Sequence, residues 1–234
     1  MMKVSRVLLA LYLSSFLICV FETDAFAHST SGNIQFFSDD TTEDPIDPTE
    51  PGKPIIPNQP PSAGSLSLSY VSNLSFGAQA MSTRSQEYFA QPDSIMDKET
   101  NQAKEVPNFV QLIDKTGKNL GWELTVAQSK PLTNERGFML ENTRFSFRNL
   151  VLKGLLSDAT APYFPEKEIN LTKVNEPVLV ARATKETGQG TWSIQFGKEG
   201  NEANKSISVY IPGKIKKEAG QYNTTLIWTL TNSL

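Results

Sequence analysis

The side chains that carry most enzymatic chemistry are scarce in this chain. Its 234 residues include one cysteine, Cys19, and one histidine, His28, both near the N-terminus. Ser-His-acid and Cys-His nucleophilic arrangements therefore lack a base in the rest of the sequence. A zinc site lacks its ligands for the same reason. No phosphate loop or dinucleotide fingerprint occurs, so no cofactor and no metal site is expected. Two carboxylates suffice for a glycosidase. The 17 acids of residues 65–234, however, show no spacing that singles out a pair. The expectation is a protein without enzymatic activity.

The positive signal is aromatic. Each tryptophan stands two residues before an aliphatic: Trp122 before Leu124, Trp192 before Ile194, and Trp228 before Leu230. In a strand, residues i and i+2 share a face, so each pair places an indole beside an aliphatic. Two roles fit that arrangement. An indole buried in a β-domain stabilises it by burial. An exposed indole offers a flat face on which the C–H face of a sugar ring stacks. Large aromatics are buried more often than not. The alternation of Leu226, Trp228 and Leu230 against Thr225, Ile227 and Thr229 also reads as a packed strand. Structural roles are therefore expected for at least part of these motifs, with the binding role left open.

The elements that must position these residues read as strands. Leu66, Leu68 and Tyr70 alternate with serines. Period-two stretches recur at 109–113, 122–127, 138–152, 178–183, 192–196, 207–211 and 222–231. Turn signals separate them at 115–117, 188–190, 197–200 and 212–213. Residues 83–105 have room for one short helix, although Pro92 interrupts it. The expected fold is all-β, an antiparallel β-sandwich-like single domain over residues 65–234.

The N-terminal part is of different material. Residues 1–27 read as a signal peptide, with Lys3 and Arg6 ahead of an apolar run and the small-x-small pattern at Ala25-Phe26-Ala27. Glu22 and Asp24 cut that run short of the roughly 20 residues that span a membrane. Cleavage is expected between Ala27 and His28, leaving a mature chain without a thiol. No lipoprotein signal, sorting motif or later membrane segment is apparent, so any surface attachment is expected to be non-covalent. Residues 28–37 hold a strand-like stretch, Gly32–Phe36, which either returns to the domain as an edge strand or frays.

Residues 38–64 form an acidic, proline-rich spacer. Pro45, Pro48, Pro51, Pro54, Pro57 and Pro60 fall on every third position, the period of polyproline II. A solvated rod of roughly 50 Å is expected, whose removal leaves the domain folded. Six acids face one lysine in this segment, and their spacing matches no calcium loop. The domain after it has 19 bases and 17 acids, too small a margin and too scattered for nucleic acid.

Several stretches, in order, carry a resemblance. They are Tyr70–Gly77, Pro107–Asp114, Gly121–Gln128, Gly190-Thr191-Trp192 with Phe196-Gly197, and Tyr222–Leu230. Their succession closely resembles the WxL-domain surface proteins of low-GC Gram-positive bacteria, named for two Trp-x-Leu motifs, here Trp122–Leu124 and Trp228–Leu230. Lys115-Thr116-Gly117 departs from a Lys-Arg that members often carry before the glycine. The resemblance implies export, non-covalent attachment to the cell wall with peptidoglycan as ligand, and no enzymatic activity. It implies as partners WxL-interacting membrane-anchored proteins, LPxTG-anchored proteins and, for some members, host matrix. It also marks Trp122, Leu124, Trp228 and Leu230 as wall-binding or structural, with Trp192 as an additional aromatic. The rival expectation is a protein–protein module for which wall binding is secondary.

Overall fold

Alternating sequence becomes sheet wherever a partner backbone is in reach. The computed structural model describes residues 31–155 and 160–233. The predicted signal peptide and its cleavage site, Ala27 and His28, lie outside the described residues. Residues 36–234 form one compact unit; of the preceding unit, only residues 31–35 are described.

The strands are β1 Ile55–Ile56, β2 Leu66–Val71, β3 Gln86–Phe89, β4 Asp93–Asp97, β5 Ala103–Val106, β6 Phe109–Asp114, β7 Trp122–Gln128, β8 Leu132–Asn134 and β9 Met139–Leu140. They continue with β10 Arg144–Phe147, β11 Leu150–Gly154, β12 Ile169–Leu171, β13 Val178–Ala183, β14 Gly190–Phe196, β15 Ile207–Ile211, β16 Tyr222–Asn223 and β17 Leu226–Asn232. A 3-10 turn covers Ala203–Lys205, and no α-helix occurs among the described residues. The fold is all-β, and every pairing between these strands is antiparallel.

Three sheets carry the main core: β11-β14-β6-β2, β12-β10-β15-β3 and β13-β7-β17. Trp122, Leu124, Leu112, Trp192, Ile194, Phe145 and Phe147 meet in one buried cluster. The small sheet β16-β8-β9 adds Leu132 and Leu140 to that cluster, and β1-β4-β5 forms a separate small sheet.

One expectation is corrected here, and one open alternative is decided. The helix allowed within residues 83–105 is replaced by β3, β4 and β5. β3 pairs with β15, while β4 and β5 form a hairpin around the turn at residues 98–102. Cross-strand partners outweigh a weak local helical preference. Gly32–Phe36 forms no strand; Ile34 and Phe36 are 78% and 85% exposed. Alternation makes a strand only where another backbone completes the ladder. The long stretch 138–152 also divides into three strands. Asn142 and Asn149 adopt φ of +54° and +53° between them, a conformation asparagine tolerates better than most residues.

The proline-spaced segment is not a rod standing free in solvent. It doubles back on itself: Asp47 N donates to Lys53 O, and Ile55 N to Pro45 O, each at 2.8 Å. β1 then joins β4, which places Ile55 in a second small core with Tyr70, Ile95, Val106 and Phe109. The loop covers the polar face of the β11-β14-β6-β2 sheet. There the Gln111 side chain pairs with the Ile46 backbone like a neighbouring strand. Its Oε1 accepts from Ile46 N at 2.9 Å and its Nε2 donates to Ile46 O at 3.0 Å. Gln195 Nε2 donates to Pro48 O. Lysines of the domain hold the acids: Lys98 pairs with Asp44, Lys104 with Asp47 and Glu50, and Lys115 with Asp39 and Glu43. The polyproline spacing was legible, but residues far along the chain supply a surface that binds the segment.

This clasp has a pH signature. Hydrogen bonds from Lys115, then from the backbone and hydroxyl of Thr41, lower Asp39 from 3.8 to about 2. Burial alone would raise the Asp47 carboxyl, but Lys104 and Thr49 outweigh it and hold it below its usual value. Groups whose folded pKa is depressed stabilise the fold fully above their unfolded pKa, and that contribution fades as pH falls through the folded value. Amide exchange at residues 39–53, corrected for its intrinsic pH dependence, is therefore expected to accelerate between about pH 4 and pH 2 relative to that of β14. Equal acceleration in both places would remove the electrostatic account.

Candidate functional site

The two Trp-x-Leu motifs lie on adjacent strands. β7 pairs with β17 so that Leu124 faces Leu230, Val126 faces Trp228, and Trp122 faces Asn232. Ser129 N donates to Thr225 O, and Ser233 N to Gly121 O. These bonds set the phase of the ladder. Thr225, Ile227 and Thr229 exchange backbone bonds with β7, whereas Leu226, Trp228 and Leu230 turn their N–H and C=O groups to the free edge. Directly opposed residues share a face, so both motifs point their side chains to the same side of the sheet.

The motif residues nevertheless occupy different environments. Trp122 and Leu124 have no solvent exposure, and Trp192 is 1% exposed. Both buried indoles find hydrogen-bond acceptors in one loop: Trp122 Nε1–H donates to Gly188 O at 2.9 Å, and Trp192 Nε1–H to Gln189 O at 3.0 Å. That loop needs glycine. Gly188 has φ of +80°, and a Cβ there would lie 2.3 Å from Ala183 Cβ and 2.6 Å from Trp122 Nε1. Gly154 makes room for Trp192 in the same way, since a Cβ would meet the indole at 2.3 Å. These three residues build the core and present no indole face to solvent.

Trp228 and Leu230 are half-buried on the edge strand. The Trp228 ring stands edge-on to Phe147, centroids 5.8 Å apart, and tilted against Phe196 at 6.1 Å. It lines an open groove of about 570 Å³. The groove runs between the end of β2 with the segment after it and the residues leading into β17. Phe76, Phe145 and Phe147 line it with Trp228, and Asn73, Asn223 and Thr224 add polar groups. No Asp, Glu, Lys or Arg lines it. Phe76 also packs edge-on against Phe145, centroids 5.9 Å apart.

The motifs alone did not reveal this groove. Much of its lining comes from residues 70–76, 108–110 and 222–228, parts of three stretches that carried the sequence resemblance, and Gln59, Pro60 and Ser62 of the proline-spaced segment join it. Asn108 is the groove residue that spacing gave no reason to single out. Its Nδ2 donates to Gln91 O at 2.8 Å, while its buried Oδ1 has no hydrogen-bond partner.

Among the described residues, no helix is long and apolar enough to cross a membrane. No curated protein and no solved structure gives a significant match to the chain. The sequence model of the WxL domain family, described as surface cell wall-binding, matches residues 23–233. With that match spanning nearly the whole sequence and the paired motifs on neighbouring strands, the chain belongs to the WxL domain, surface cell wall-binding family.

Proposed function

We propose that this protein is exported, is held non-covalently at the cell wall, and takes peptidoglycan in the groove beside Trp228. The observation that carries the reading is the groove itself: an aromatic floor, polar side chains around it, and no charged residue in its lining. Such a surface offers stacking to a sugar face and hydrogen bonds to its hydroxyl and amide groups. It offers no counter-charge to an anionic wall polymer or to the charged ends of a stem peptide. The role is binding without a chemical step.

The test is retention on purified, protein-free sacculi, with and without teichoic acid. Retention on both is expected, together with release by chaotrope without wall digestion. Trp228→Ala is expected to reduce retention at least about tenfold, through loss of one stacking partner. Its cost in stability is expected to be about 2 kcal/mol, below that of a fully buried tryptophan. Release of soluble sugar from the sacculi would instead mark an enzyme.

The free edge of β17 favours a second reading. The backbone groups of Leu226, Trp228 and Leu230 have no partner strand among the described residues, and an unpaired edge is a template for another chain. A protein-binding module would be retained on intact cells carrying a membrane-anchored or LPxTG-anchored partner, or on host matrix, but not on stripped sacculi.

A further inference from the structure

Ile34, Phe36 and Phe37 are 78%, 85% and 86% exposed, more than any other large apolar side chain among the described residues. Such a concentration of exposed apolar surface marks a contact that the single chain does not make. Gly32–Phe36 also has the alternation of a strand, with Ile34 and Phe36 on one side and Asn33 and Gln35 on the other. No charged residue falls between His28 and Asp39. What the stretch lacks is a partner backbone.

An open backbone lies at the groove. β17 pairs with β7 on one side, and the outward N–H and C=O groups of Leu226, Trp228 and Leu230 have no partner strand among the described residues. β2, across the groove, differs because residues 58–62 cover its edge. Ser62 N donates to Leu68 O at 2.9 Å, Leu68 N to Ser62 Oγ at 2.7 Å, and Asn58 Nδ2 to Val71 O at 3.0 Å. An added strand is therefore directed to β17.

Both faces of β17 suit this stretch. In an antiparallel ladder, residues that exchange backbone bonds share a face. Ile34 and Phe36, bonded to two of Leu226, Trp228 and Leu230, place their side chains in the groove beside Phe76 and Phe147. Phe37 then falls on the other face of β17, where Ile227 is 49% exposed. Neither the stretch nor the groove lining carries a charge, so no ion loses its water on docking.

The same copy is poorly placed to supply the strand. Lys115 holds Asp39, and the loop that follows lies on the Gln111 side of β6. The groove belongs to the opposite, Val110 side, where Phe145, Phe147 and Trp228 join the main core. Three residues lead from Asp39 back to Phe36 and span at most about 11 Å. That is too short to pass round the covered edge of β2 and reach β17.

We propose that Gly32–Phe36 of one copy adds as a strand to the free edge of β17 in a second copy. The contact is head-to-tail, so each copy both donates and accepts a strand and assembly continues beyond a pair unless it closes into a ring. This goes beyond the glycan reading and does not rest on it. An inserted strand and a glycan compete for the groove.

The experiment is sedimentation velocity of the mature protein, His28–Leu234, over a range of concentrations, beside a form beginning at Ser38. The later start removes the strand and keeps the Asp39 ion pair. The mature protein is expected to shift from monomer to dimer and larger species as concentration rises. The Ser38 form is expected to stay monomeric with an unchanged melting temperature. A synthetic peptide of residues 30–37, titrated into the isotope-labelled Ser38 form, is expected to shift the Trp228 indole resonance and slow amide exchange at Leu226, Trp228 and Leu230. The same peptide carrying Ile34→Asp and Phe36→Asp is expected to bind at least about tenfold more weakly.

A mature protein that stays monomeric while those three amides are protected would make its own chain the occupant and overturn the proposal. Self-association that persists in the Ser38 form overturns it as well, as does a natural peptide that leaves Trp228 unmoved. All of these measurements are made without glycan, so their failure leaves the peptidoglycan reading standing. Loss of retention on sacculi, with strand addition intact, removes that reading and keeps the assembly.

Discussion

Trp122→Ala is expected to lower stability by about 3–5 kcal/mol, the usual cost of emptying a fully buried tryptophan site. For a domain of this size that corresponds to a fall in melting temperature of roughly 10 °C. The indole is completely enclosed between β7 and the loop carrying Gly188, and its N–H is satisfied by Gly188 O. The substitution therefore leaves a cavity and strands a buried carbonyl. Thermal unfolding of Trp122→Ala beside Trp228→Ala, each with its retention on sacculi, checks the division of labour between the motifs. Trp122→Ala is expected to lose binding in proportion to the fraction unfolded at the assay temperature. Trp228→Ala is expected to lose it while still folded. A Trp122→Ala protein that melts like the natural one would remove the core assignment.

Truncation of the chain to begin at Ser62 is expected to cost about 5 kcal/mol. Ile55 would leave its small core, a loss of about 2–4 kcal/mol on its own. Gln195 would lose its partner Pro48, and Gln111 its two bonds to Ile46 while keeping those to Ser69 and Ser193; each loss adds about 1 kcal/mol. The ion pairs of Lys98 and Lys115 are part-exposed and add little. Truncation avoids the loop-closure ambiguity of an internal deletion. Chemical denaturation of the two forms gives the difference directly. A truncated protein with an unchanged midpoint would return the segment to the role of a passive spacer.

The contrast between those two regions explains how much was legible in advance. Period-two alternation marked most strands, because a strand at the surface of a core must separate its two faces. Val178–Ala183 and Ile207–Ile211 fall where the alternation put them. The pairing of β4 with β5, and of β3 with β15, was not legible, because a weak local preference is settled by partners elsewhere in the chain. The strand-like Gly32–Phe36 shows the converse, a suitable pattern with no partner.

For the site, the sequence by itself determined the residue types: three tryptophans in strand contexts, two Trp-x-Leu motifs, a matching family and too few histidines or cysteines for most catalysis. It also determined that the Leu226–Leu230 strand separates its faces. It did not decide which tryptophan meets a ligand, since Trp122 and Trp228 have the same local pattern. Only the tertiary structure separates them. β7 lies between two strands and is covered, whereas β17 is an edge and lines a groove. The proline-spaced segment was read as a rod for a related reason. Its local conformation is written in its own residues, but its docking depends on Gln111, Gln195, Lys104 and Lys115, between 54 and 147 positions away in their bonded pairs. Local sequence fixes what a segment prefers. Burial and hydrogen bonding depend on what the rest of the chain brings to it.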